Sequence, residues 1–532
     1  MKRWAFFVVG AITALATFTG ASALATEASG PPNEIRLAIG GESEDGYDPT
    51  LGWGRYGSPL FQSTLLRRDA ELNIVPDLAT TYEVSDDGLV WTVKIREGVK
   101  FSDGEPLTAG DVAYTFNTAA TQGGLTDVTV LDEAVATDDT TAELRLSEPQ
   151  STFVNRLITL GIVPEHAHGP DYGRNPIGSG PYILERWDEG QQLIAVRNPD
   201  YYGEQPAFER LVFQFSEDDG NLAAARAGDV QVAVVSPAFA AESIPGMELV
   251  AVDSVDNRGI MFPYQPDSDE TDEDGNPIGN AVTSDLAIRQ AINYAIDRQA
   301  LVAGILDEHG SPATGPVDGL PWYEPDSAIT DNDPDEAARI LADGGWEDTD
   351  GDGILEKDGV PAAFTLLYPA NDSTRQGLAL AVSDMVRPIG IDITTEGRSF
   401  DEIEPLMHAN AVLFGWGSHD QTEMYNLYHS SLAGFDFYNA GYFMDGQVDS
   451  YLDLAMGATD PAEANVFWRA AQLDEEGNGF TTPAEAGWAW LVNLDHTYFV
   501  DECLDVGNPQ VEPHGHGYPI TAGITSWQWT CP

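Results

Sequence analysis

Between Asn175 and Gly203 the chain reads NPIGSGPYILERWDEGQQLIAVRNPDYYG, and this stretch decides how the rest is interpreted. Its first six residues include a proline and two glycines, which break regular structure. Tyr182-Ile183-Leu184 then begins a strand-like run. A strand entered through a rigid, glycine-rich turn is therefore predicted at this point.

Two other stretches have equally clear local signals. WTVKIREGVKFSDGEPLTAGDVAYTFN, Trp91 to Asn117, begins with the alternation of a strand and continues into a helix. Thr108, with Asp111 three residues later, has the spacing of a capping box. AIRQAINYAIDRQALV, Ala287 to Val302, is an amphipathic helix that Ser284 is predicted to cap. Its apolar face is formed by Ile288, Ala291, Ile292, Ala295 and Ile296.

Helical and strand patterns alternate further along the chain. Pro334 to Leu341 and Gln376 to Val386 are predicted as helices. Phe364 to Tyr368 and Ile391 to Thr394 are predicted as strands. This alternation is typical of an α/β lobe.

Together the three quoted stretches resemble, in content and order, the family 5 bacterial solute-binding proteins, which deliver peptides, nickel and related solutes to ABC transporters. Shorter matches support the resemblance, and it covers about residue 35 to about residue 454. These matches are Ile162 to His166, Gly315 to Val317, Gly344 to Gly353 and Gly415 to Gly417.

The resemblance implies an α/β, periplasmic-binding-protein-like fold of class II, with two lobes, a hinge and an extra inserted subdomain. After a signal peptide at 1–25, the first lobe would comprise 26–72, 175–265 and 492–532. The inserted subdomain would be 73–174 and the second lobe 266–491. Trp91, Phe101 and Tyr182 are predicted to be core residues, since they lie in alternating apolar runs.

The function implied is that of a binder and not an enzyme. Di- or oligopeptides would be captured between closing lobes and delivered to the permease subunits of an ABC importer. A nickel or metal-chelate binder of the same family is the alternative. A secreted hydrolase is disfavoured, because the sequence has no phosphate-cradling loop, no Gly-x-Ser-x-Gly and no His-Glu-x-x-His.

The charge of the chain limits its partners. Among 532 residues, 87 are acidic and 25 basic, giving a formal charge of -62. So negative a surface repels nucleic acid, and we expect a monomer with no nucleic-acid partner. The acid excess, with only four lysines, is typical of a halophile's extracytoplasmic protein, although an acidic secreted protein is the alternative.

The first residues resemble an export signal. Lys2 and Arg3 precede an apolar run from Trp4 to about Thr17, and Ala23-Leu24-Ala25 has the form of a cleavage site. No cysteine lies near that site, so we expect no lipid anchor there. The mature protein is therefore predicted to begin near Thr26 and to be periplasmic or secreted.

Export implies an oxidising compartment, in which the chain's two cysteines are predicted to form a disulfide. A bond between Cys503 and Cys531 would fasten the C-terminal tail to the body. The alternative, a metal or redox site, is less compatible with an isolated pair.

Ligand contacts are expected in irregular, aromatic-rich loops. The candidates are Trp53, Arg55, Tyr56, Trp416, His419, Asp420 and Arg398. In peptide-binding relatives an aspartate after the Gly-Trp turn takes the ligand's α-ammonium, and the resemblance assigns this role to Asp420, or to His419 if the alignment shifts by one. A solvated loop acid is the alternative for Asp420. Arg398, Arg375 and Arg55 are candidates for holding a carboxylate.

No cofactor is required by these patterns, but three segments have ligands suited to metals. His514 and His516, separated by Gly515, are candidates for a transition metal, with a surface turn as the alternative. Two acidic loops resemble calcium sites, with an acidic turn as the alternative for each. The candidate calcium ligands are Asp348, Asp350 and Asp352 in the first loop and Asp474, Glu476, Asn478, Thr482 and Glu485 in the second.

Overall fold

The computed structural model describes residues 32–43, 45–515 and 517–532. The expected signal peptide at 1–25 and His516 lie outside these residues. Three main sheets organise the chain, and two of them are joined by two adjacent crossings of the chain.

The first lobe is built on a seven-stranded mixed sheet. Its strands, in spatial order, are Met247–Val252, His496–Asp501, Val232–Val235, Glu34–Ala38, Arg210–Gln214, Gln192–Arg197 and Tyr182–Asp188. Glu34–Ala38 pairs in parallel with both of its neighbours, and the remaining pairs are antiparallel. The strand predicted after the Asn175–Gly180 turn is therefore confirmed as an edge strand of this sheet.

The inserted subdomain is a four-stranded antiparallel sheet covered by one long helix. Its strands are Ala79–Val84, Val90–Ile95, Thr141–Leu146 and Leu131–Asp138. The helix Ala109–Gln122 begins at the predicted capping box, in which the Thr108 hydroxyl accepts from Gly110 and the Asp111 carboxylate from the Thr108 amide. Phe101 and Trp91 belong to the core between helix and sheet, as predicted.

The second lobe contains a six-stranded mixed sheet. Its strands, in spatial order, are Gly310–Pro312, Trp488–Leu494, Asn257–Met261, Ala411–Trp416, Ala363–Pro369 and Asp392–Arg398. This sheet extends beyond both expected bounds of the lobe, since one strand precedes residue 266 and another continues past residue 491. No proline or glycine cluster marks either crossing, so neither could be recognised from local sequence.

Both faces of the second sheet are covered by helices. Leu286–Ala295 and Ser373–Val386 pack on one face through their apolar stripes. The first of these is capped by Asp285 and not by Ser284, because the Asp285 carboxylate accepts from the amide of Ala287. Trp468 and Tyr428 belong to the core on the other face.

The remaining regular elements are short strand pairs and helices around these sheets. The strand pairs are Leu66–Arg68 with Ile74–Pro76, Glu356–Lys357 with Val360–Pro361, and Leu504–Asp505 with Gln528–Trp529. The remaining α-helices are Val154–Thr159, Asp218–Ala227, Arg298–Ile305, Pro334–Asp343, Phe400–Ile403, Thr422–Tyr428, Gly446–Gly457 and Pro461–Gln472.

The two lobes are joined where the chain passes twice between their sheets. One crossing lies between Val252 and Asn257, and the other between Leu494 and His496. The crossings run side by side, because Leu494 donates its amide to the carbonyl of Asp256 at 2.8 Å and accepts from the Ser254 hydroxyl at 2.5 Å. Paired crossings of this kind form a hinge between lobes.

The C-terminal tail is fastened to the first lobe. Cys503 and Cys531 are disulfide-bonded, which confirms the predicted pairing. Trp527 is buried in the core of this lobe, so the disulfide closes a tail that also packs.

Candidate functional site: the cavity between the lobes

A cavity of about 330 Å³ lies where the first lobe, the inserted subdomain and the second lobe meet. Its wall includes three tyrosines and five arginines. The tyrosines are Tyr56, Tyr201 and Tyr202, and the arginines are Arg55, Arg67, Arg68, Arg96 and Arg156. The acidic residues of the wall are Asp77, Glu204 and Asp420. A concave site with aromatic faces and a few converging polar groups is suited to a small ligand.

The cavity brings together four of the predicted ligand contacts: Arg55, Tyr56, His419 and Asp420. Trp53 is not among them, although it belongs to the same loop. Its ring lies edge-on to Tyr47 at 4.7 Å, and its indole N–H donates to the carbonyl of Pro59. With 8% of its surface exposed, Trp53 is a core residue of the first lobe, so the structure corrects its expected role.

Trp416 and Arg398 also lie outside the cavity wall. Arg398 is at the end of its strand, half exposed, and forms an ion pair with Glu396 at 2.7 Å. The Trp416 ring is 5.8 Å from that of Tyr438, which lies on the same lobe. Neither side chain is placed for direct contact with a ligand in this cavity.

Glycines flank Trp416 because the backbone passes close to other groups there. A Cβ on Gly415 would lie 2.5 Å from Arg258 and 2.7 Å from the buried guanidinium of Arg375. A Cβ on Gly417, where φ is 142°, would lie 2.2 Å from the carbonyl of Val255. The Gly-Trp-Gly turn is thus required by the close contact between the second lobe and the hinge.

Asp420 is already paired within the protein. Its carboxylate accepts from Arg156 of the inserted subdomain at 2.5 Å and from the amide of Thr422 at 3.0 Å. The side chain of Arg156 is 8% exposed and that of Asp420 16%. Whether Asp420 also receives an ammonium stays a prediction, but its charge is opposed by that of Arg156 before any ligand arrives.

His419 is buried beside a second arginine. Arg68 donates to the backbone carbonyl of His419 at 2.8 Å and to the side-chain oxygen of Asn155 at 2.7 Å. Burial, assisted by the charge of Arg68, lowers the pKa of His419 to about 3. The imidazole is therefore neutral at physiological pH.

A buried charge cluster lies at the hinge next to the cavity. Asp256 accepts hydrogen bonds from His514 at 2.5 Å and from His496 at 3.2 Å, and it forms an ion pair with Arg258. Burial alone would raise the pKa of Asp256, but Arg258 and His514 hold that pKa well below its usual range. Glu512 accepts from His496 at 2.6 Å on the other side. The hinge is thus stabilised by alternating charges.

Glu423 is a second buried acid, under the Gly-Trp-Gly turn. Its carboxyl accepts from the amide of Gly417 at 2.9 Å. Burial raises the pKa of Glu423 to about 8, against the effect of that hydrogen bond. Glu423 is consequently protonated at neutral pH.

Comparison with known proteins decides the family. The family model described as bacterial extracellular solute-binding proteins, family 5 Middle, matches residues 73–439. The chain belongs to this family. Protein XP55 of Streptomyces lividans is 36% identical over 90% of this chain and 86% of the relative. The oligopeptide-binding protein AppA of Bacillus subtilis is 28% identical over 70% of this chain and 71% of the relative.

The solved structures agree with a family 5 solute-binding fold. NikZ from Campylobacter jejuni, in complex with Ni(L-His), superposes with a TM-score of 0.79 at 22% identity, covering 94% of this chain and 100% of that chain. The expected two-lobed fold is therefore confirmed. Proteins of family 5 are exported binders and not enzymes. Among the residues that the structure describes, no helix is long and apolar enough to span a membrane.

The first acidic loop gathers four carboxylates. One oxygen each from Asp348, Asp350, Asp352 and Glu356 lies within 4.8 Å of the others. Glu356 was not among the ligands predicted from the sequence, which were Asp348, Asp350 and Asp352. A short hairpin, Glu356–Lys357 with Val360–Pro361, brings Glu356 back towards the loop.

The second acidic loop does not gather its expected ligands. Asp474 accepts from the amides of Glu476 and Asn478, as in an ordinary turn. Glu485 points elsewhere, since it accepts from the Tyr264 hydroxyl at 2.7 Å and lies 3.7 Å from Arg289. Thr482 is buried. The structure thus corrects the expectation that Glu485 would complete a calcium site.

The predicted transition-metal turn lies at the hinge. His514 is partly buried, with 16% of its side chain exposed, and its Nδ1 is hydrogen-bonded to Asp256. His516 is outside the described residues, so the pair stays a prediction.

Sequence reasoning missed most of the arginines of the cavity. Arg67 and Arg68 end a short strand before the inserted subdomain, and Arg96 and Arg156 belong to that subdomain. Tyr201 and Tyr202 follow the stretch that identified the fold. The sequence did contain one indication of these arginines. Only 25 residues of the chain are basic, yet two of them are adjacent, at 67 and 68.

Proposed function

We propose that this protein is the solute-binding component of a peptide-type ABC importer. It captures short peptides between its lobes and delivers them to the permease subunits. The observation that carries the proposal is the tyrosine- and arginine-lined cavity at the meeting point of the two lobes and the inserted subdomain. A volume of about 330 Å³ is at the small end of the range for ligand sites, which favours di- or tripeptides over long ones.

The side chains that line the cavity are suited to binding a peptide. Tyrosines 56, 201 and 202 offer apolar ring faces and hydroxyl groups, and the arginines offer forked donors for carboxylates and carbonyls. Oligopeptide-binding AppA is among the relatives. Binding at the lobe junction also explains how occupancy is signalled, since a ligand there touches both lobes and favours the closed form.

Native mass spectrometry of protein purified without refolding tests this proposal. A ladder of peptide masses released from the protein is expected. Small-angle scattering should show a smaller radius of gyration after the released peptides are added back to stripped protein. Absence of both peptide masses and closure would contradict the proposal.

A metal chelate is the second candidate, and His419 favours it. The imidazole of His419 is neutral, it lines the cavity, and its Nε2 has no hydrogen-bond partner among the described residues. Neutral imidazole is a common ligand of nickel. Nickel with L-histidine, added to stripped protein, would then raise the melting temperature, and His419→Gln would abolish the rise while His309→Gln, a residue outside the cavity wall, would leave it.

We further propose that the mature protein begins near Thr26. Mass spectrometry of the exported protein would give the N-terminal residue. An N-terminus far from Thr26 would contradict the proposal.

A further inference from the structure

We infer that the solute is an anion, held through its carboxylate groups by the arginines of the cavity, and that an α-ammonium at Asp420 does not anchor it. The inference rests on the proposed function and names the class of solute bound by that site. It follows from the juxtaposition of Asp420 with Arg156 and from two arginines, Arg55 and Arg67, that form no ion pair within the described part of the chain.

The first step is the charge of the cavity wall. Five of the chain's 25 basic residues line the cavity, facing three acidic residues. A chain with a formal charge of -62 therefore has a cavity of opposite sign. A cleft of one sign with low-dielectric walls concentrates ligands of the other sign.

The second step concerns the corner around Asp420. Arg156 lies 2.5 Å from its carboxylate, and the charge of Arg68 also acts on it. Two guanidinium groups against one carboxylate leave this corner with a net positive charge. An incoming ammonium would meet two cations at close range, whereas a carboxylate would meet two forked donors.

The third step identifies the arginines available to a ligand. Among the residues in 32–43, 45–515 and 517–532, no acidic side chain lies within ion-pair distance of Arg55 or Arg67. The guanidinium of Arg55 lies over the ring of Tyr56, 4.9 Å from its centre, which holds the side chain in place. Arg55 and Arg67 line the cavity, and each offers several N–H groups to one carboxylate.

Such arginines are exceptional in this protein. Most of the chain's other arginines have an acidic partner, and acidic residues outnumber basic ones more than threefold. Arg55 is half-buried and Arg67 is exposed, and an unneutralised charge that is partly removed from water is stabilised when a ligand of opposite charge binds. The carboxylates belong either to a peptide, at its C-terminus or on acidic side chains, or to a small organic acid.

The experiment is a competition between matched probes, read by native mass spectrometry on the full mature chain. Two random tripeptide pools are mixed in equal amounts. One pool is N-acetylated with a free carboxylate, and the other has a free amine and a C-terminal amide. A mixture of di- and tricarboxylic acids forms a third arm. Arg55→Gln and Arg67→Gln are compared with Arg226→Gln, an exposed arginine paired with Glu242 outside the cavity.

The acetylated pool should be captured about tenfold more than the amidated pool, the ratio given by one charge-assisted hydrogen bond. Arg55→Gln and Arg67→Gln should each reduce that ratio, and Arg226→Gln should not. Preference for the amidated pool would overturn the inference while leaving peptide binding intact. If only the organic acids are captured, the result would support the inference that the solute is an anion and would contradict the proposal that it is a peptide. Equal capture of both pools, or capture of no probe, would overturn the inference.

Discussion

Arg156 and Asp420 are 264 residues apart in the chain, and their side chains meet at 2.5 Å between the inserted subdomain and the second lobe. Neighbouring contacts join the same two surfaces. The Ser151 hydroxyl donates to the carbonyl of Ala455 at 2.7 Å, and the hydroxyls of Thr422 and Thr152 are 3.0 Å apart. These contacts hold the inserted subdomain against the second lobe.

A double-mutant cycle with Arg156→Met and Asp420→Asn should give a coupling free energy of about 1–3 kcal/mol, because both groups are largely buried. The exposed pair Arg226 and Glu242 is the control, and its coupling should stay below about 1 kcal/mol. Urea unfolding of the four proteins in each cycle measures both values. A coupling near zero for Arg156 and Asp420 would mean that the lobes are apart in the ligand-free protein.

The hinge should lose stability in alkali. Burial alone would lower the pKa of His496, but its hydrogen bonds to Asp256 and Glu512 raise that pKa to about 9. Since the folded pKa exceeds the ordinary value of 6.5, the stabilisation is complete below pH 6.5 and is lost as pH rises through 9. The loss should be about 2–3 kcal/mol.

Urea unfolding between pH 6.5 and 9.5 measures this loss, with His496→Gln as the variant that cannot titrate. The variant should be less stable than the original protein at pH 6.5, and the difference should shrink towards pH 9.5. The control is His166→Gln, at an exposed histidine of the inserted subdomain that is paired with Asp103. A constant difference between the His496 variant and the original protein would show that His496 is not charged in the folded state.

Glu423 should also change the free energy of unfolding with pH, in a lower range of pH than His496. Burial raises its pKa from 4.5 to about 8, so its folded form holds a proton that the unfolded chain has released. Stability therefore falls as pH rises from 4.5 through 8. Glu423→Gln keeps an oxygen for the Gly417 amide and cannot ionise, so at pH 8.5 it should be more stable than the original protein by at least about 1 kcal/mol.

Denaturant unfolding at pH 5 and pH 8.5 tests the Glu423 prediction. The exposed Glu248→Gln serves as the control and should change stability equally at both pH values. A Glu423 variant that is less stable than the original protein at pH 8.5 would indicate an ionised carboxylate that the fold needs.

Local signals explain which parts of the fold could be predicted. The capping box of Thr108 and Asp111 acts over three residues, and the sequence contains everything needed to recognise it. Ser284 and Asp285 are both good caps, and only the path of the backbone selects Asp285. The pattern predicted the helix that follows, but its start was wrong by one residue, and the stretch to Val302 is two helices, Leu286–Ala295 and Arg298–Ile305, with Ile296 extended between them.

Long-range contacts explain what the sequence could not provide. Local sequence shows Asp420 only as an acidic residue in a loop, because its partner Arg156 is 264 residues away. Asp256 likewise lies 258 residues from its partner His514. Trp53, in a glycine-rich loop, suggested an exposed ligand contact, yet its ring is enclosed by aromatic residues from distant segments, including Tyr518 at 5.4 Å. The arginine lining of the cavity is assembled in the same way, from parts of the chain that no local pattern connects.

Removal of the disulfide should destabilise the first lobe. The bond between Cys503 and Cys531 closes a loop with a sequence separation of 28, which on the chain-entropy model contributes about 3 kcal/mol. The double variant Cys503→Ser and Cys531→Ser should lower the free energy of unfolding by that amount. Adding reductant to the original protein should reproduce the loss and should leave the variant unchanged. A variant as stable as the original protein would mean that the packing of Trp527 alone holds the tail.

Calcium should stabilise the second lobe through the first acidic loop. Oxygens of Asp348, Asp350, Asp352 and Glu356 lie within 4.8 Å of one another, and carboxylates so close repel each other unless a cation lies between them. At a concentration of about 100 times Kd, calcium would add about 2.7 kcal/mol to the free energy of unfolding.

Thermal unfolding at constant sodium chloride, with calcium or with a chelator, measures this effect. Asp350→Asn should abolish the calcium-dependent rise in Tm, since it removes one charge from the cluster. Glu476→Gln in the second loop should leave the rise intact, because Asp474 there accepts from the backbone of its own turn and Glu485 is bonded to Tyr264. If Tm is the same with calcium and with chelator, the four carboxylates are only a solvated turn. If Glu476→Gln removes the rise and Asp350→Asn does not, the ion binds to the second loop.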